Sequence, residues 1–166
     1  MKYKLVELEE YTGDGATIYS VYIEEEGKTL FDKFVEENII SFKDEIFFIF
    51  DRLEVMGNDT GAREGFFKHY EGDLGDGVVA LYDETEHNLR LYCIRYGTQI
   101  IILGGGGPKP KDIRALQEDD KLKDENYLLR NISKQITERI KDKLITHSPD
   151  GFYLEGELEF EDESHE

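Results

Sequence analysis

The sequence predicts an α+β domain: an antiparallel β-sheet with helices packed on one face, extended by an N-terminal hairpin and an acidic C-terminal tail. Three observations carry that prediction. Short runs rich in β-branched and aromatic residues are separated by brief glycine-containing connections, as antiparallel strands require. Two helix-start signals follow the first pair of runs, and a long apolar stripe at helical spacing appears late in the chain. Hydrophobic residues are 39% of 166, enough for one ordinary core, so we assign residues 1–150 to a single domain and residues 151–166 to the tail.

The elements follow in order. Tyr3–Glu9 and Ala16–Ile23 read as strands of a hairpin, with turn glycines within Thr12–Ala16. Thr29 with Asp32, then Ser41 with Asp44, have the spacing of capping boxes, in which a hydroxyl and a carboxylate satisfy each other's orphan backbone donors. The first opens a short helix through about Glu37. The second opens a longer one carrying Phe42, Ile46, Phe47, Ile49, Phe50, Leu53 and Val55, which ends near Gly57 and is expected to lie deep against the sheet.

Val78–Tyr82, Leu89–Tyr96 and Gln99–Leu103 read as an antiparallel meander with a tight turn at Gly97. Alternation along the middle strand puts Leu89, Leu91, Cys93 and Arg95 on one face and Arg90, Tyr92, Ile94 and Tyr96 on the other. Gly104–Gly107 is expected to be a flexible connector over the sheet rim, and Pro108 and Pro110 hold the chain extended after it. A helix over about Lys123–Ile145 has an apolar stripe of Leu129, Ile132, Ile136, Ile140 and Leu144. In the tail, Phe152, Leu154, Leu158 and Phe160 alternate with Tyr153, Glu155, Glu157 and Glu159, the pattern of an edge strand blunted by charge; the last six residues are expected to be disordered.

Charge restricts the partners. The formal net charge is -18, but residues 63–143 carry 14 Lys/Arg against 15 Asp/Glu. Within them, residues 88–114 hold Arg90, Arg95, Lys109, Lys111 and Arg114 against Asp112 alone. The whole molecule repels nucleic acid at long range, so only this local patch offers phosphate a foothold. No 18-residue apolar run is present and the first residues are charged, from which we expect a cytoplasmic protein with no membrane contact. The lone Cys93 sits in a strand pattern and reads as core, and the four histidines lack ligand spacing, so neither metal nor cofactor is expected. The glycine run lacks the Lys-Ser/Thr of a phosphate loop.

What remains is a set of cations with two proton-transfer candidates. Lys68 and His69 precede the meander, Arg90 and Tyr92 share a strand face, and Lys109, Lys111 and Arg114 follow the last strand. Cations of this kind stabilise charge developing on a phosphodiester, and Tyr92 or His69 would move protons. The competing reading is that these bases pair with the protein's 38 carboxylates.

The order of elements, with LysHisTyrGluGlyAspLeu leading into LeuArgLeuTyrCysIleArgTyrGlyThrGlnIleIleIleLeu, resembles the RelE/ParE/HigB-type toxins of bacterial toxin–antitoxin pairs over about residues 30–111. The resemblance implies a toxin-like fold, a cognate antitoxin protein as partner and, in many members, metal-independent cutting of mRNA on the ribosome. It matches Arg90 to the strand arginine at the scissile phosphate, Lys68 to the basic position before the meander, and Lys109 to the lysines after the final strand. A non-catalytic protein-binding module of the same fold is the alternative it leaves open, and an acidic tail that shields the basic window is a third.

Overall fold

The computed structural model describes residues 1–68, 77–81, 88–109 and 119–162. Within them the chain forms β1 (Lys2–Glu7), β2 (Thr17–Ile23), β3 (Lys28–Thr29), α1 (Leu30–Asn38), α2 (Lys43–Val55), β4 (Phe67–Lys68), β5 (Val78–Leu81), β6 (Leu89–Tyr96), β7 (Ile100–Pro108), α3 (Asp119–Lys141), β8 (Ile145–His147), β9 (Leu154–Gly156) and β10 (Glu159–Glu161). The fold is α+β. Among the described residues an eight-stranded sheet runs β10-β1-β2-β7-β6-β5-β4 with β3 added to β2, and β8 and β9 pair separately. Every pairing is antiparallel except β2 with β7. No helix among the described residues is long and apolar enough to cross a membrane.

The expectation that helices cover one face is corrected. Leu129, Ile132 and Ile136 of α3 pack with Ile94, Ile100 and Ile102 on one side of the sheet. Phe31, Phe34, Ile46 and Leu53 of α1 and α2 pack with Cys93, Ile101 and Leu103 on the other. The reason lies in Ile100–Leu103: successive strand residues point to opposite faces, so four consecutive apolar residues, each fully buried, need a cover on both sides. β2 is equally central, lying between β1 and β7. Its pair with β1 is therefore built into the sheet.

Helix boundaries follow hydrogen bonds that pattern alone only partly shows. The first capping box is present: Thr29 Oγ1 accepts from the Asp32 N–H at 3.0 Å, and Asp32 Oδ2 accepts from the Thr29 N–H at 3.2 Å. The second is not. Phe42 stands at the start of α2 with no side-chain cap, because the backbone turns straight from α1, with the Phe42 N–H bonded to the Asn38 carbonyl. α2 buries Ile46, Ile49 and Leu53 but leaves Phe47 and Val55 largely exposed, so it lies less deep than its composition suggests. α3 ends at Lys141 rather than near residue 145. Lys143 enters the left-handed region at φ 62°, and the Leu144 N–H returns to the Arg139 carbonyl, which releases Ile145 into β8.

The tail alternates as expected, with Leu154 and Phe160 buried, but forms two short strands rather than one. β10 lies at the sheet edge beside β1. Arg139 holds it there, donating to the Glu157 and Glu159 carbonyls at 2.7 and 2.6 Å while its guanidinium lies 3.7 Å from the centre of the Phe160 ring.

Candidate functional site

The register places the predicted cations before any side chain is considered. Lys68 lies opposite Ala80 in β5, and Ala80 lies opposite Tyr92 in β6. Residues directly opposite share a face, so Lys68, Ala80 and Tyr92 form one row on the side covered by α3. Arg90, two residues back along β6 and opposite Gly107, faces the same way. Two strand spacings and two residue rises separate the Lys68 and Arg90 Cα atoms by about 12 Å. The Lys109 N–H donates to the Asn88 carbonyl, so Lys109 reaches the same end of the sheet. Lys68, Arg90 and Lys109 each engage neighbouring groups. His69, Lys111 and Arg114 lie outside the described residues.

Tyr92 is a different matter. It is 4% exposed and belongs to the core beneath α3, a position that suits packing better than proton exchange at an open surface. Arg95 is on the opposite face, as alternation requires, where it donates to the Ala62 carbonyl at 2.7 Å and lies over the Phe67 ring. Cys93 is fully buried, and burial pushes its thiol upward, which leaves it inert as read.

The tetraglycine run is not a connector. Gly104–Gly107 belongs to β7 and is buried throughout. Leu91 pairs with Gly106 and Cys93 with Leu103, so Gly104 and Gly105 together oppose Tyr92 in a β-bulge. α3 lies on this segment. A Cβ at Gly104 would stand 2.8 Å from Leu129 Cδ2, one at Gly105 would overlap the Glu125 carboxylate, and one at Gly107 would stand 3.3 Å from Lys121 Cγ. Lys121, Glu125 and Leu129 are spaced four apart and form the stripe that needs this bare backbone. The glycines thus admit a helix, and α3 fills the space an anion would need. Lys121 is held by Glu125 at 3.0 Å and by Glu37 at 3.2 Å, which ties α3 to α1.

An open groove lies elsewhere, in a region where the sequence predicts only strands, a turn and helices. A depression of about 520 Å³ opens between the loop after β1, which carries Leu8, Glu10 and Tyr11, and α1, with Phe50 of α2 at its base. α1 presents Phe31 and Val35 on one ridge and Asp32 and Glu36 on the next, both pairs at a spacing of four. Tyr11 stacks on Phe50 with ring centres 6.2 Å apart and meets Phe31 edge-on at 6.2 Å. Burial raises the Tyr11 phenol above its ordinary value, and the charges of Glu10, Glu54 and Asp32 add to the rise. Hydrophobic residues at 31 and 35 with acids at 32 and 36 are visible in sequence. Tyr11 joins them only because β1 and β2 turn back over α1.

Among the described residues no group of three or more His, Cys, Asp or Glu side chains is placed to hold a metal ion. No family model matches the chain, and no curated protein or solved structure matches it.

Proposed function

We propose that this chain acts by binding a protein, as a toxin-like member of a toxin–antitoxin type pair whose fold serves recognition rather than RNA cutting. The observation that carries the reading is the groove at Tyr11, which combines an aromatic floor with a carboxylate rim. Such a surface suits a cationic polypeptide and repels a polyphosphate. The formal charge of -18 acts in the same direction at long range. The burial of Tyr92 weakens the catalytic alternative from the other side.

The test is co-expression with the product of the adjacent gene. A stoichiometric complex by light scattering, with cellular RNA left intact, is the expected result. Absence of any complex would remove the reading.

The placement of Lys68 and Arg90 on one sheet face favours a second reading, a metal-independent endoribonuclease acting on mRNA. In that case Arg90 and Lys68 stabilise the phosphate, and Lys109, Lys111 and Arg114 position the RNA backbone. Growth arrest with mRNA cleavage on expression of the chain alone, abolished by Arg90→Ala in a folded protein, would establish it over the first.

A further inference from the structure

We infer that the groove between the loop after β1 and α1 is the docking site for an arginine presented beside an apolar side chain by a partner protein. The inference rests on the protein-binding reading above and names its site and chemistry.

The electrostatics of the rim favour a cation. Glu10, Asp32 and Glu36 border the groove, and Lys28 is the basic residue that lines it. Lys28 is already committed, with its Nζ 2.7 Å from Glu36, and nearby Lys33 pairs with Glu26 at 3.0 Å. Among the described residues no ion pair joins a cation to Glu10 or Asp32, although the charge of Lys28 also acts on Asp32. Glu10, Asp32 and Glu36 against Lys28 leave the lining with a net charge of about -2 over apolar ground, with Asp32 also accepting the Thr29 N–H.

The floor narrows the choice of cation. The half-buried rings of Tyr11 and Phe50, backed by the buried Phe31, supply ring surface, and a guanidinium is flat, weakly hydrated and able to stack on a ring while forming paired hydrogen bonds to a carboxylate. An ammonium keeps its hydration more tightly and cannot bond in this forked way. Carboxylates at the rim and rings at the base thus suit the edge and the face of one guanidinium. Leu8 and Val35, both half-buried, line the same groove and leave an apolar wall for a neighbouring side chain to cover. A nucleic acid would bring its phosphates against these carboxylates, which argues for a polypeptide.

The test uses the full chain, labelled with nitrogen-15, and four short capped peptides of the form Gly-Leu-X-Leu-Gly in which X is arginine, lysine, citrulline or glutamate. The arginine peptide is expected to shift the amide signals around Tyr11, Asp32 and Val35. Binding should fall at least threefold with lysine and at least tenfold with citrulline, which keeps the shape and loses the charge. Glu10→Gln should weaken the arginine peptide at least threefold, and the exposed control Glu138→Gln on α3 should leave it unchanged. Shifts scattered over the surface, or equal binding of arginine and citrulline, would overturn the assignment. Asp32 is left intact because it also caps α1. The two readings fail separately. A partner complex that forms but is indifferent to Glu10→Gln and Tyr11→Leu removes the groove alone, whereas the lack of any complex removes the protein-binding reading itself.

Discussion

Gly106 of β7 lies against the backbone carbonyl of Arg90 in β6, so closely that a methyl group on Gly106 would overlap that oxygen. The contact is backbone to backbone at the margin of the bulge, and relief requires the strands to move apart. We predict that Gly106→Ala destabilises the fold by about 3 kcal/mol, at the upper end of overpacking costs. Gly107→Ala meets the flexible Lys121 side chain at 3.3 Å and Leu122 Cδ2 in ordinary contact at 3.9 Å, and should cost less than about 1 kcal/mol. Urea unfolding of the two variants compares them directly, and equal midpoints would contradict this account of the glycine run.

Ser20 stands where β2 parts from β7. Its hydroxyl donates to the Leu103 carbonyl at 2.8 Å and accepts from the Phe31 N–H at 3.3 Å, and the residue is fully buried. Phe31 is in the first turn of α1, where the backbone N–H has no partner within the helix. Ser20→Ala leaves that donor buried and unmet, at a cost of about 1–3 kcal/mol. An unchanged thermal midpoint would show that the junction does not depend on the hydroxyl.

Arg139 fastens β10 by two carbonyl contacts and a ring contact. Arg139→Ala should free the edge, which hydrogen exchange reads at the Leu5 and Asp162 amides, since these bond to the Leu158 and Met1 carbonyls. We expect exchange there to rise about tenfold with the α3-side core unaffected. Arg139→Lys should recover part of the protection, because it restores charge without the planar stack. Uniform protection across all three proteins would mean that the Tyr3–Phe160 stacking, at 4.8 Å, holds the strand by itself.

Tyr96 supplies a pH dependence. Burial pushes its phenol from 10.0 up to about 12, and its buried hydroxyl has no hydrogen-bond partner among the described residues. A phenol raised on folding favours the folded state below pH 10, and that contribution is lost as pH rises from 10 through 12. Tyr3, Tyr11 and Tyr19 are raised as well, each chiefly by burial, and add in the same direction. The urea midpoint should therefore fall between pH 10 and 12, in step with phenolate absorbance. Tyr96→Phe should match or exceed the native midpoint at pH 7 and lose less of it at pH 11. A larger alkaline loss in the variant would refute the assignment.

The local elements were legible because their causes are local. Thr29 and Asp32 cap α1 through groups three residues apart, and the alternation of β6 sorts Arg90 and Arg95 onto opposite faces as strand geometry demands. The Ser41–Asp44 spacing misled because Asn38 and Phe42 carry the turn between α1 and α2 by a backbone bond, which has no side-chain signature. The constellation was legible in part. Lys68 and Arg90 do share a face, whereas Tyr92, read as a reactive group, is covered by α3. The groove at Tyr11 was not legible, since it joins residue 11 to residues 31–36 and 50 across three elements.

By itself, then, the sequence determined the order of the principal strands and of the three helices, the faces of β6, and the concentration of acid toward both ends of the chain. Those properties depend on neighbours within a few positions, where backbone geometry and hydrogen bonding act directly. Tertiary structure alone decided that helices lie on both sides of the sheet, that four glycines make room for a helix, and that an acidic rim closes around an aromatic floor. Each of these arises from packing between segments distant in sequence, where excluded volume and burial choose the partners.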